Sequence, residues 1–129
     1  MKNENILILV VDDIISNRLV LSEVIEVLGY QSYCCKNGEE AIEFLLKNEV
    51  SLILMDIEMP VMNGIETTIH IRKKLTGPKS KLPIIALTAH NPADFQSEFK
   101  TAGFDDLLTK PYLLQNVNNA IVKLLKDEE

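Results

Sequence analysis

Apolar positions along this chain follow two alternating rhythms. Ile6 to Val11 is an unbroken apolar run, too short for a helix and suited to a strand buried on both faces. From Ser16 to Leu28 the spacing changes. Leu19, Val20, Val24, Val27 and Leu28 read as a helical stripe, closed by Gly29 as a C′ glycine. Gln31 to Cys35 predicts a short strand. Asn37-Gly38-Glu39-Glu40 opens a second helix, with Asn37 as cap and Glu40 able to reach back. Asn-Gly is also a hairpin signal, but Ala41, Ile42, Phe44, Leu45 and Leu46 keep helical spacing. Ser51 to Met55 predicts a third strand. Asn63-Gly64-Ile65-Glu66 repeats the capping pattern and starts a third helix, to about Leu75. Thr76 to Lys81, with Gly77-Pro78, reads as a loop. A fourth strand follows from Leu82 to Leu87, with Pro83 at its edge. Pro92 to Ala102 predicts a fourth helix closed by Gly103, and Asp106 to Thr109 a fifth strand. The last helix runs from Leu113 to Lys126, with Leu114, Val117, Ile121, Leu124 and Leu125 on its apolar face.

Strict alternation of strands and helices implies an α/β fold: a doubly wound parallel sheet of five strands, with helices on both faces, in three layers. In such sheets ligands gather beyond the carboxyl ends of the strands. Those ends carry Asp12 and Asp13 after the first strand, Asp56 after the third, Thr88 after the fourth and Lys110 after the fifth. The second strand ends in Cys35-Lys36 and adds little. Asp56 is the sharpest case, because an apolar run, Leu52 to Met55, leads straight into it. A lone buried carboxylate is costly. Asp56 is therefore either a solvated loop residue or one with partners arranged around it.

The other rim residues favour partners. Clustered carboxylates repel one another, so a cation is needed. A hard divalent ion with oxygen ligands fits, and Mg²⁺ accepts few protein ligands while keeping waters. Lys110 adds an ammonium and Thr88 a hydroxyl. A metal, an ammonium and a hydroxyl around one carboxylate suit a phosphoryl group, whose oxygens the cations neutralise during transfer. A carboxylate can itself be the nucleophile and become an aspartyl phosphate. Asp56, on the central strand of the three acid-bearing positions, is the best-placed acceptor.

Composition narrows the classes without changing this picture. With 129 residues, the chain is large enough for one domain, read here as residues 1–129. The formal net charge of −6 argues against direct nucleic-acid binding, which needs a basic footprint. No apolar run reaches membrane-spanning length, and Met1 to Asn5 leads into only a short apolar run before Asp12, unlike a signal peptide. A cytoplasmic location is expected. Cys34 and Cys35 are neighbours whose side chains should point to opposite faces of a strand, as small core residues rather than a disulfide or metal pair. Met55, Met59 and Met62 read as packing and loop residues, and His70 as a surface or boundary residue of the third helix.

The set "VVDD", "LMDIEMPVMNG", "IIALTA" and "LLTKPY", in that order and at these spacings, resembles the receiver domain of two-component response regulators. The resemblance covers Ile6 to Leu125. It implies a flavodoxin-like sheet of strand order 2-1-3-4-5, with Asp56 as phosphoacceptor. It implies that Asp13 binds Mg²⁺ directly, Asp12 mainly through water, and Glu58 through its backbone carbonyl. Thr88 and Lys110 should hold phosphoryl oxygens, and the Lys110–Pro111 bond should be cis. A histidine kinase or a histidine phosphotransfer protein is the implied phosphodonor, with the surface from Pro92 to Lys126 reporting the change to partners. "VDDIISNRLV" and "IALTAHNPADF" look most like receivers of hybrid sensor kinases and phosphorelays. No output domain is expected after Leu125, so the chain reads as a stand-alone receiver or as a piece of a larger protein. Phosphorylation-dependent dimerisation through the fourth and fifth helices and association with a different partner both remain open.

The chain departs from the family pattern at Leu107. Many receivers carry an aromatic residue three positions before the lysine, and switching by an inward swing of that ring is in doubt here. Tyr112 stands where the family often has Phe and reads as packing. Glu58 and His90 flank the site: either they face each other and set the hydrolysis rate by steering water, or they are solvated loop side chains. Two other classes compete. A haloacid-dehalogenase-like phosphatase would place its nucleophile first, in a D-x-D pattern, and a flavin mononucleotide carrier needs a hydroxyl- and glycine-rich loop where Asp12-Asp13 stand. A degenerate receiver used only for docking is hard to reconcile with a complete set of chemical residues.

Overall fold

A computed structural model describes residues 5–89 and 100–126 of the chain. Its strands are β1 (Leu7–Val11), β2 (Gln31–Cys35), β3 (Leu52–Asp56), β4 (Ile84–Thr88) and β5 (Asp106–Thr109). Between them run α1 (Ile15–Val27), α2 (Gly38–Lys47) and α3 (Gly64–Lys74), and a C-terminal helix, Leu114–Lys126, follows β5. The sheet has the order β2-β1-β3-β4-β5 and every pairing is parallel. Lys100 to Ala102 are helical, and Gly103 turns the chain with φ 104. The rest of the helix expected from Pro92, and His90 with its expected pairing to Glu58, lie outside the described residues.

Alternation along the strands divides the core into two layers. Leu9, Val11, Ile53, Met55, Ile84 and Ala86 point to one face, where Ala41 and Leu45 of α2 and Ile71 of α3 cover them. Ile8, Val10, Leu52, Leu54, Ile85 and Leu87 point to the other, under Leu21 and Ile25 of α1 and Val117 and Ile121 of the C-terminal helix. Three central strands are thus apolar on both sides, which is why they read as continuous runs. Cys34 and Cys35 pack on opposite faces as expected. Among the described residues no helix is long and apolar enough to cross a membrane.

The helix starts follow the capping logic closely. Asn63 accepts from the Glu66 backbone N–H, and the Glu66 carboxylate accepts from the Asn63 N–H. Asn37 caps α2 by accepting from the Glu40 N–H. Glu40 does reach back, but to the N–H of Lys36, one residue earlier than a capping box requires. Two sequence expectations are corrected. Gly77–Lys81 is a 3₁₀ helix, not a loop. Pro78 presets its first turn and the Ser80 hydroxyl closes onto the Gly77 carbonyl, in a piece too short to show periodicity. The buried face of α1 is Leu21 and Ile25, while Leu19 (65% exposed), Val20 (55%) and Val27 (71%) face solvent. Val24 and Leu28 of the expected stripe do pack against the core, so spacing along this largely apolar helix identified the inward face only in part.

Arg72 joins the far end of α3 to the segments that start β4 and β5. Its guanidinium donates to the carbonyls of Gly103, Ser80 and Leu82 and to the Asp105 carboxylate at 2.8–3.0 Å. Asp105 in turn accepts from the Ile84 N–H. Arg72→Ala leaves these acceptors without their donor. It is expected to lower stability by about 2–4 kcal/mol, measured by urea denaturation with an unchanged slope.

Candidate active site at the carboxyl edge of the sheet

The parallel register brings the carboxyl ends of β1, β3, β4 and β5 to one rim. Asp56 is the last residue of β3, paired with Leu87, and Thr88 is the last of β4, paired with Thr109. Each was expected just beyond its strand, but both belong to it. They are buried, at 2% exposure, as is Asp12 at 0%. Asp56 is therefore no solvated loop residue, and Lys110 stands against it as a partner.

Asp12 is held from several sides. Its N–H donates to the Cys35 carbonyl, and its carbonyl accepts from the Arg18 guanidinium at 2.8 Å. Its Oδ1 accepts from the Ile14 N–H at 2.9 Å and from the Asn17 amide at 3.4 Å. Its Oδ2 is buried and has no hydrogen-bond partner. Asp13 is exposed beside it. One carboxylate oxygen from each of Asp12, Asp13 and Asp56 lies within 4.8 Å of the others. Lys110 Nζ stands 3.3 Å from Asp56 Oδ1 and 3.9 Å from Asp12 Oδ2. The backbone N–H of Lys110 donates to the Thr88 carbonyl, and the Lys110–Pro111 bond is cis. Glu58 is exposed, and its backbone N–H donates to Asp56 Oδ1 at 3.4 Å. All six candidate residues, Asp12, Asp13, Asp56, Glu58, Thr88 and Lys110, are thus on one rim.

The loop after β3 is built to keep Asp56 in place. The Gly64 N–H donates to the Ile57 carbonyl. A Cβ on Gly64 would lie 2.2 Å from the Asp56 carbonyl oxygen, so only glycine allows α3 to start this close to the strand. Val61 takes φ 72 in a turn closed from the Met62 N–H to the Pro60 carbonyl, an uncommon conformation for a β-branched residue. Met55 and Met59 are buried packing residues and His70 is half-buried, as expected.

The donor set is entirely hard oxygen, with three acids near one ammonium. It fits a divalent ion of the Mg²⁺ type rather than a soft metal. Asp12 Oδ2, with no hydrogen-bond partner and only the Lys110 ammonium at ion-pair distance, suits a role as a metal-facing oxygen. Burial, then the negative charge of Asp12, push the Asp56 carboxyl up from 3.8 to about 6, against the pull of Lys110.

Comparison with known proteins agrees with this site. The model of the response regulator receiver domain matches residues 8–122, and the chain belongs to that family. It is 34% identical to sporulation initiation phosphotransferase F of Bacillus subtilis, over 97% of this chain and 96% of that protein. It is 35% identical to the sensor histidine kinase RcsC of Escherichia coli over 92% of this chain, which spans 12% of the kinase's length. Among solved structures, the receiver domain of a Pseudomonas aeruginosa sensor histidine kinase, with magnesium coordinated in its active-site cleft, superposes with a TM-score of 0.85 at 28% identity, covering 93% of this chain and 97% of that one. The response regulator TrrA of Thermotoga maritima, in complex with Mg²⁺ and BeF, gives 0.81 at 33% identity, covering 92% and 98%.

The raised Asp56 value makes a prediction about stability. The folded chain holds the Asp56 proton more tightly than the unfolded chain does. In metal-free protein this group therefore lowers stability progressively as pH rises from about 4 to about 6, with the full cost present above that range. Asp56→Asn removes the cost. It is expected to raise stability by about 1–3 kcal/mol at neutral pH and by little near pH 4. Urea melts in EDTA at the two pH values check this, and equal melting of both proteins at neutral pH would contradict it.

Proposed function

We propose that the chain is a phosphoacceptor in a two-component or phosphorelay system, with Asp56 receiving a phosphoryl group from a phosphohistidine. The observation that carries this is the buried Asp56 carboxylate, 3.3 Å from the Lys110 ammonium and within a carboxylate cluster. In the step, an Asp56 oxygen attacks phosphorus in line, the P–N bond of the donor breaks, and the imidazole leaves with its electron pair and takes up a proton. Lys110 neutralises one phosphoryl oxygen and the Thr88 hydroxyl donates to another. Asp12, Asp13, Asp56 and the Glu58 carbonyl would hold Mg²⁺, which when bound neutralises charge on the transferring group.

The molecule is accordingly no turnover enzyme in this reading. It assists its own phosphorylation and hydrolysis and hands the altered surface to a partner. Its domain is residues 1–129, it works in the cytoplasm, and it makes no direct contact with nucleic acid. Leu107 packs against the apolar layer under α3, so the switch does not run through an aromatic ring there. Self-association through the fourth and fifth helices is one output; exposed Leu114 and Val122 supply apolar surface on the C-terminal one.

Mg²⁺ and acetyl phosphate are expected to add one phosphoryl group to the intact chain, seen by mass, with none on Asp56→Asn. Absence of both adduct and phosphate release would leave a docking module. Rapid Asp56-dependent phosphate release without an adduct would mean very fast hydrolysis.

Phosphodonor docking makes a separate prediction. Next to Asp12, α1 leaves Ile15 (64%) and Leu19 (65%) exposed, continuous with the rim. A histidine-bearing donor protein must cover this face to bring its imidazole to Asp56. Ile15→Ala with Leu19→Ala is expected to slow transfer from a phosphorylated histidine phosphotransfer protein by roughly tenfold or more. Labelling by acetyl phosphate should be unchanged, and equal slowing of both donors would contradict the docking role.

A further inference from the structure

Both backbone groups of Asp12 are bound just beyond the end of β1. Its N–H donates to the Cys35 carbonyl at 3.1 Å, and its carbonyl accepts from Arg18 Nη1 at 2.8 Å. That carbonyl belongs to the peptide unit joining Asp12 to Asp13, and a peptide unit is planar. Holding the oxygen therefore holds the plane that relates the two acids. Arg18 lies in the first turns of α1, where side chains lean toward the helix N-terminus, so its guanidinium reaches back across the turn. The placement does not serve the helix, because a cation near its N-terminus opposes the macrodipole. Nor is α1 capped by its own N-cap side chain, Ile14. Asp12 itself holds the turn, its Oδ1 accepting from the Ile14 N–H at 2.9 Å. The entry to α1 and the placement of Asp12 are thus one structure, which Arg18 closes from the helix side.

We propose that Arg18 is a positioning residue of the site, its bond to the Asp12–Asp13 peptide setting the two carboxylates toward the divalent ion before the ion arrives. A turn already ordered does not pay that ordering again on binding. Supporting hydrogen bonds of this kind hold ligating carboxylates in the geometry a small octahedral ion demands. Charge alone would act in the opposite direction. A guanidinium this close to the acids repels a second cation, so its removal would tighten Mg²⁺ binding if charge were all it contributed. The role rests on the assignment of Asp12 and Asp13 to the Mg²⁺ shell.

The test is isothermal titration of Mg²⁺ into the metal-free chain, for wild type, Arg18→Met, Arg18→Lys and Ile25→Val, with thermal midpoints measured alongside. Arg18→Met keeps a long helix-compatible stem and loses the donor. It is expected to bind Mg²⁺ roughly tenfold more weakly. Acetyl phosphate labelling should need correspondingly more Mg²⁺, with a rate at saturating Mg²⁺ within about twofold of wild type. Arg18→Lys keeps a charged donor for what is a single N–H···O bond, and should bind within about threefold of wild type. Ile25→Val loosens the buried face of α1 further along the helix and should bind as wild type does. Unchanged or tighter binding in Arg18→Met, beside a wild type that binds, overturns the proposal and leaves the phosphoacceptor reading intact. Equal weakening in Ile25→Val overturns it too, because a loosened helix would then be the cause. So does Arg18→Lys binding as weakly as Arg18→Met, or an Arg18→Met that does not fold without metal, since the bond would then serve the fold. A wild type that binds no Mg²⁺ overturns the reading of the site and this inference with it.

Discussion

The carboxylate cluster at the sheet's edge is the constraint around which this molecule is organised. Asp12 and Asp56 are buried side by side with Lys110 as the near cation. Removing charge from water costs more than such a pair returns unless the geometry is good and remaining lone pairs are satisfied. Here they are satisfied only in part. Asp12 is tied down through Oδ1 and its backbone, while Oδ2 has no hydrogen-bond partner. Asp56 responds by holding its proton to about pH 6. The cluster is suited to a divalent cation, whose charge would offset both buried acids.

A parallel sheet supplies that arrangement with little extra machinery. Residues in register along β1, β3, β4 and β5 end at one level, so one polar residue after each apolar run suffices to assemble the rim. The apolar runs themselves are fixed between two helical layers and cannot slip without reversing the faces of every side chain. Precision comes from close approaches at the loops. Gly64 lets α3 begin against the Asp56 carbonyl, and the Lys110 N–H to Thr88 carbonyl bond ties the end of β5 to that of β4.

What was legible in the sequence follows from the same physics. The alternation of strands and helices, the capped starts of α2 and α3 and the rim residues could be read, because each depends on local chemistry repeated at fixed intervals, whereas the strand order came only with the family resemblance. The inward face of α1 could be read only in part, since Ile15, Leu19 and Val20 are as apolar as the buried Leu21 and Ile25 and periodicity assumes that apolar means inward. Those exposed residues lie a few positions after Asp12 and Asp13. Arg72 was also invisible. Its partners lie 8 to 33 residues away, and most are backbone carbonyls that carry no residue-type signal. The 3₁₀ segment Gly77–Lys81 was missed because one short turn has no period to detect.

Leu107 and Tyr112 belong together in this light. With an aliphatic residue packed under α3, the face of β5 away from α1 has no ring to reorient. The ring after the cis proline packs instead on the α1 side, with its hydroxyl buried. The acids are thus flanked by α1 on one side and the Lys110–Tyr112 segment on the other. Asn17 of α1 and Lys110 already meet there across Asp12. α1 also carries the exposed apolar residues Ile15 and Leu19, a few residues from Asp12.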